Sequence, residues 1–485
     1  MTLQGKTAQG VVWSAVSQWG RLGLNLLTTI ILARLLAPGD FGLLAMCVVF
    51  TGLFASVSDL GLGSALVQAE APGPEDFDTV FWLSAGTGIL SCLAVTALAP
   101  LVASFYGVGD LTAILRWLGA GLAASSLAVV PQALLTRAMN FQRIAAVEIT
   151  ASLFGGGIGI AAALLGAGAF SLVMQSLGTA ACATVGYWIA APWKPGGGFA
   201  GFGQGRMIRF GTHLIGFNAV NYVARNVDYL LIGKYLGPEQ LGYYSLAYRL
   251  MLFPLQNISA VVGKVLLPAF SAIQRDDRRL RDAFLRLTRY VALLSFPLML
   301  GVLVTAHELI GVVFGARWDP AAPVVQILAL VGLLQSIGTN TGTLFMAKGR
   351  TDILFRWGIC ATAVLICGIV WGLAHGILGV ATGYALAYLL LVIPGLAIPL
   401  RLVDGRAADV LRAVLPVFLL SAAAAACVVV LRVLQDALIS LPAAAVLGLS
   451  AAAMAGVYIV LVSRFMADTA AEVRALFRNG IAASE

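Results

Sequence analysis

Residues 226–250 read NVDYLLIGKYLGPEQLGYYSLAYRL, the end of one apolar run, a tight turn on Gly237 and Pro238, and the start of the next. The same turn occurs earlier: Arg34–Gly42 is RLLAPGDFG and Lys234–Gly242 is KYLGPEQLG, so leucine, proline and glycine recur two hundred residues apart at 36/236, 38/238 and 42/242. Arg225 and Arg249 sit deep in the flanking apolar runs, with Asp228 one turn beyond the first. A charge at that depth costs roughly 2.5–3.5 kcal/mol on insertion scales, so such residues are retained for a reason.

Outward from this stretch the chain is apolar throughout. Of 485 residues 60% are hydrophobic and 11% charged, and the mean hydropathy is +0.94; a soluble domain carries about a quarter charged residues. The fold class expected is an all-α polytopic membrane protein. Spans of about 20 apolar residues fall at 11–36, 42–66, 79–103, 112–136, 144–165 and 169–191, and then at 208–233, 240–266, 290–314, 322–346, 353–374, 376–400, 410–432 and 441–463. That gives about fourteen transmembrane helices in two six-helix lobes plus two C-terminal helices. The lobes are 1–191 and 208–400, joined by the Gly/Pro-rich linker 192–207, and 401–485 holds helices 13 and 14 with a tail. The segment 269–288, with Leu280, Phe284, Leu285 and Leu287 among arginines, suits a helix lying on the membrane surface. The N-terminal run is too long and too polar for a cleavable signal, so the first helix is expected to stay.

Lysine and arginine orient the spans. With both termini in the cytoplasm, twenty-two fall on the inner side, five outside (Arg34, Arg116, Lys234, Arg317, Arg432), and Arg21, Arg225 and Arg249 lie within the membrane. The net charge of +8 is then an inner-face attraction to anionic lipid and implies no nucleic acid. Six spans between the repeated turns keep the repeats in one orientation, so the lobes relate by an axis along the membrane normal and enclose a central cavity.

One face of the first helix carries Ser14, Gln18, Arg21 and Asn25; Asn218, Asn221 and Arg225 repeat the last three positions two hundred residues later. Such stripes line a water-filled interior or hydrogen-bond between helices, and both readings stay open. Asp59 and Asp228 are coupling-ion candidates, or partners of Arg21 and Arg225. His213 reads as a structural histidine, and Tyr243, Tyr244 and Tyr248 border the outer cavity or form an interfacial belt. Three arginines against two aspartates leave the membrane interior at +1, which favours an anionic ligand; arginine's planar fork suits phosphate or pyrophosphate. The six cysteines lack CxxC or histidine spacing and read as small packing residues, so neither a metal site nor a cofactor is expected. The GKT at Gly5–Thr7 lacks the upstream glycine of a phosphate-binding loop, GxSxG and HExxH are absent, and every loop is short. Transport, and not catalysis, is the activity that remains.

Four stretches together resemble a known family: DLGLGSALVQ (Asp59–Gln68), the 226–250 stretch, FGARWDPAAPVVQILAL (Phe314–Leu330) and MAKGRTD (Met346–Asp352). They are similar to the polysaccharide transporter family of the multidrug/oligosaccharidyl-lipid/polysaccharide superfamily, over residues 5–400. The resemblance implies two six-helix lobes plus two further helices, and flipping of undecaprenyl-pyrophosphate-linked oligosaccharide units for lipopolysaccharide or exopolysaccharide across the bacterial inner membrane by alternating access. It implies cavity arginines on the pyrophosphate, for which Arg21, Arg225 and Arg249 are the available positions, and a polysaccharide polymerase and chain-length machinery as partners. Two alternatives stand: an organic-cation or multidrug antiporter of the same fold, against which the three arginines count, and a non-transporting scaffold of a polysaccharide assembly complex.

Overall fold

A computed structural model describes residues 3–58, 61–69, 72–197, 222–438 and 441–467. They fold into helices throughout, with no strand among the described residues. Two compact units are resolved, the first ending at Gly242 and the second beginning at Tyr243.

The first unit holds α1 (Leu3–Leu35), α2 (Pro38–Ser58), α3 (Leu62–Gln68), α4 (Pro74–Tyr106), α5 (Leu111–Ser126), α6 (Val129–Arg137), α7 (Phe141–Leu164), α8 (Phe170–Ala190) and the first part of α9 (Val227–Ala272). The sequence explains where α2 starts. Pro38 stands at its first turn, where a missing N–H costs nothing, and the Asp40 carboxylate accepts from the Ala37 N–H at 2.9 Å. The expected span 42–66 is instead two helices. Gly61, at φ 66°, takes the left-handed turn that separates α2 from α3. Leu62 and Leu66 of α3 then pack with Val80, Phe81, Val130 and Ala133. Arg137, at the end of α6, reaches the C-terminal carbonyls of that short helix: Leu66 O at 2.9 Å and Ala69 O at 2.5 Å. A cation there complements the helix dipole.

The repeated turns meet. A Cβ on Gly42 would lie 1.7 Å from the Pro238 carbonyl oxygen, and a Cβ on Gly242 would lie 2.0 Å from that of Pro38. The contact is reciprocal, with the glycine of each turn against the proline of the other. Gly237, at φ 86°, makes the turn within α9. The start of the linker is also docked: the Trp82 indole donates to Gly196 O at 3.0 Å and the Gly196 N–H donates to Asp78 Oδ1 at 2.8 Å.

The second unit holds the rest of α9, α10 (Asp277–Leu309), a π turn (Ile310–Phe314), a 3₁₀ turn (Ala316–Ala321), α11 (Ala322–Gly338), α12 (Thr341–Ala347), α13 (Thr351–Leu373), α14 (Gly376–Arg401), α15 (Ala407–Leu438) and α16 (Ala443–Phe465). The surface helix expected at 269–288 is corrected here. Asp276 caps α10 by accepting from the Arg279 N–H at 3.0 Å, and the helix runs unbroken into the span. Leu280, Phe284 and Leu287 are buried in protein, in phase with Val291 below them. No glycine or proline separates the two stretches, so nothing ends the helix at the membrane surface.

Both units use the same two devices. The span after α4 is split at Leu127–Ala128, and the corresponding span is split at Thr339–Asn340. Each unit also contains a hairpin with glycines at its seam. In α7–α8, Cβ atoms on Gly155 and Gly159 would come within 2.7 Å of atoms of Gln175. In α13–α14, Gly372 and Gly379 face each other, each placing a Cβ 2.3 Å from the other's carbonyl oxygen. Small residues let helix backbones approach where lipid offers no hydrophobic drive to pack.

Eleven helices among the described residues are long and apolar enough to cross a membrane. Of the other three expected spans, α1 has the length but is interrupted by its polar face, while 208–233 lies partly outside the described residues and side chains 257–269 of 240–266 are not described. All six cysteines are free, and only Cys47 is buried; Cys360, Cys367 and Cys427 lie on exposed faces, so the packing role expected of them does not hold there.

Candidate functional site

Three helices of the first unit converge on a carboxylate that the sequence reading missed. Glu148 stands eight residues into α7. The Arg21 guanidinium of α1 lies 3.5 Å from its Oε1. Ser17 Oγ, one turn before Arg21, donates to Oε2 at 2.5 Å, and the Tyr187 hydroxyl of α8 donates to Oε1 at 3.4 Å. The helix seams bring these groups together. A Cβ on Gly156 would lie 2.7 Å from the Thr28 hydroxyl, and one on Gly186 2.9 Å from Val147, so α1 and α8 both sit hard against α7.

Depths agree across the centre. At 1.5 Å per residue, Arg21 lies about 21 Å along its helix from Leu35, and Glu148 about 24 Å from Leu164. The pair therefore sits inside the apolar span, where an uncompensated charge is costly and an ion pair offsets part of that cost. Exposure is unequal: the Arg21 side chain is 49% accessible and Glu148 20%.

The +1 interior of the sequence reading is corrected by this residue. With Asp59 and Asp228 it makes three acids within the expected spans, and Glu308, within 290–314, is a fourth, so Arg21, Arg225 and Arg249 are not in surplus. The signal was present: Glu148 is a lone acid in an apolar run, the pattern that marks intramembrane function.

Gln18 is half-buried and Asn25 exposed on α1. Arg225 is exposed, and Asp228 is buried with Oδ1 accepting the Tyr229 N–H at 2.8 Å. Arg249 is exposed in the second unit. Asn218, Asn221, Asp59 and His213 lie outside the described residues, and the side chain of Ser14 is likewise not described. Arg21 is thus brought to Glu148, a partner not foreseen for it. Tyr243 and Tyr244 form neither a belt nor a cavity rim: both are buried, Tyr243 edge-on to the fully buried Trp318 at 6.1 Å. That contact joins two of the four stretches of the family resemblance. Arg432, expected on the outer side, stands near the C-terminal end of α15 and pairs with Glu308 of α10. Among the described residues no cluster of histidine, cysteine, aspartate or glutamate could hold a metal ion.

The polysaccharide biosynthesis protein family matches residues 31–323. The chain belongs to that family. It is 31% identical to the lipopolysaccharide biosynthesis protein WzxC of Escherichia coli over 80% of both chains. It is 29% identical to the succinoglycan biosynthesis transport protein ExoT of Rhizobium meliloti, covering 77% of this chain and 76% of the relative. Among solved structures it is similar to the lipid II flippase MurJ in an inward closed conformation, with a TM-score of 0.71 at 14% identity over 94% of this chain and 99% of that one. The last likeness is one of fold. Together they show a member of the polysaccharide biosynthesis family with a fold similar to that of the lipid II flippase MurJ.

Proposed function

We propose that this protein is a flippase for undecaprenyl-pyrophosphate-linked oligosaccharide units of lipopolysaccharide or exopolysaccharide synthesis. It works by alternating access in the bacterial inner membrane, with both termini cytoplasmic. The transporting body is two six-helix lobes, 1–191 and 208–400, within fourteen spans. Arg21, Arg225 and Arg249 bind the pyrophosphate, Gln18, Asn25, Asn218 and Asn221 line the path of the sugars, and Asp59 and Asp228 are the coupling-ion candidates. A polymerase and chain-length machinery receive the product.

The observation that carries this reading is Arg21: an arginine inside an apolar span, tied to Glu148 by one long contact, with half its surface open. Five fixed N–H donors match two phosphate oxygens at once, which a point charge does not. The names of the relatives, a lipopolysaccharide biosynthesis protein and a succinoglycan transport protein, support the substrate class. The test is ligand choice by the purified full-length protein. Farnesyl pyrophosphate is expected to bind more tightly than farnesyl phosphate, and ethidium not at all. Binding of ethidium without pyrophosphate would move the protein to the organic-cation antiporters.

A further inference from the structure

The contacts around Glu148 are asymmetric. Its carboxylate is held by a short hydrogen bond from Ser17 at 2.5 Å and a longer one from Tyr187 at 3.4 Å. Arg21 touches it through one nitrogen at 3.5 Å, beyond a good charge-assisted hydrogen bond and without the two-pronged geometry that makes such pairs strong. The carboxylate is therefore anchored to the protein independently of the arginine, and the arginine is the loosely held member.

We propose that Glu148 is an exchangeable counter-ion for Arg21, resting on the reading that Arg21 binds pyrophosphate. Between transport events Glu148 neutralises the guanidinium inside the membrane. An incoming pyrophosphate takes the guanidinium by two-pronged hydrogen bonding, and Ser17 and Tyr187 keep the carboxylate in place beside it. The displaced carboxylate then repels the bound anion and re-forms its pair with Arg21 on release. Glu148 is a positioning residue: it sets how tightly the head group is held and how readily it leaves, without touching it.

Affinity for farnesyl pyrophosphate, measured on the full-length protein in lipid nanodiscs, tests this. Glu148→Gln removes the charge and keeps one acceptor oxygen for Tyr187, while its amide N–H can donate to the Ser17 hydroxyl oxygen, so it should tighten binding about five-fold while slowing lipid turnover in vesicles. Arg21→Ala should weaken binding at least about ten-fold. Weakened binding in Arg21→Ala with unchanged or weaker binding in Glu148→Gln overturns the counter-ion and leaves the substrate reading standing. Unchanged binding in both overturns the two together. If Glu148→Gln does not fold, Ser17→Ala replaces it: with its shorter anchor gone the carboxylate swings onto Arg21 and binding weakens about two-fold, and unchanged affinity refutes the proposal.

Discussion

At the scale of single residues, Glu148 ties the membrane-embedded charge to packing. Truncating it leaves the Ser17 hydroxyl and the Arg21 guanidinium without their shared partner. Glu148→Ala should therefore lower stability by about 1–3 kcal/mol, read as a lower melting temperature in detergent, whereas Glu148→Gln still offers each hydroxyl a hydrogen-bonding partner, one as acceptor and one as donor, and loses less. Equal losses in the two variants would mean that the hydroxyl contacts do not matter. Arg137 makes a comparable case. Replacing it by alanine strips Leu66 O and Ala69 O of their donor, and a loss of about 1 kcal/mol is expected. Much of this was legible: Arg21, Gln18 and Asn25 stand out as polar positions on one helical face. Glu148 was overlooked because it occurs alone, without a stripe or a repeat to draw attention to it.

At the scale of elements, the glycines of the paired turns carry the prediction. A Cβ at Gly42 or Gly242 meets a backbone carbonyl of the other turn at 2.0 Å or less, and a backbone cannot swing aside as a side chain does. Gly42→Ala and Gly242→Ala should each cost about 3 kcal/mol or more and yield little folded protein. Gly39→Ala, where nothing lies within 4 Å, should be tolerated or mildly stabilising, since alanine favours a helix by about 1 kcal/mol. Thermal unfolding of the three variants side by side decides it. The Pro38/Pro238 repeat was readable because proline and glycine mark turns in any context. The breaks at Leu127–Ala128 and Thr339–Asn340 were not, since apolar or ordinary polar residues flank them and tertiary contacts settle the bend: Thr184 and Trp188 of α8 donate to Ala124 O and Leu127 O at the first break. Pro131 follows the first break closely. It lies in the first turn of α6, where its N–H would be unpaired anyway, so Pro131→Ala should leave transport unchanged. Pro297 and Pro394 lie inside α10 and α14; if the lobes rock about them, their alanine variants should slow lipid turnover several-fold.

At the scale of the whole molecule, the lysine and arginine distribution predicts which side each turn faces. Arg137 and Lys348, at the ends of the two split spans, belong to the cytoplasmic side, and the Pro38/Pro238 turns to the opposite side. Single cysteines at exposed positions beside them, in a background lacking the six native cysteines, should react with an impermeant maleimide from opposite faces of intact cells. Labelling of both from one face would break the orientation and with it the alternating-access account. The most direct measurement concerns the central claim, that arginines within the membrane carry the pyrophosphate. Purified variants at Arg21, Arg225 and Arg249 would be reconstituted in vesicles, and the flipping of a fluorescent undecaprenyl-pyrophosphate-linked oligosaccharide followed beside the melting temperature of each protein. The account predicts that each alanine variant stays folded and loses flipping by at least about ten-fold, with lysine restoring only part of it because it keeps the charge and loses the fork. Folded Arg21→Ala protein that flips the lipid at the native rate would contradict it.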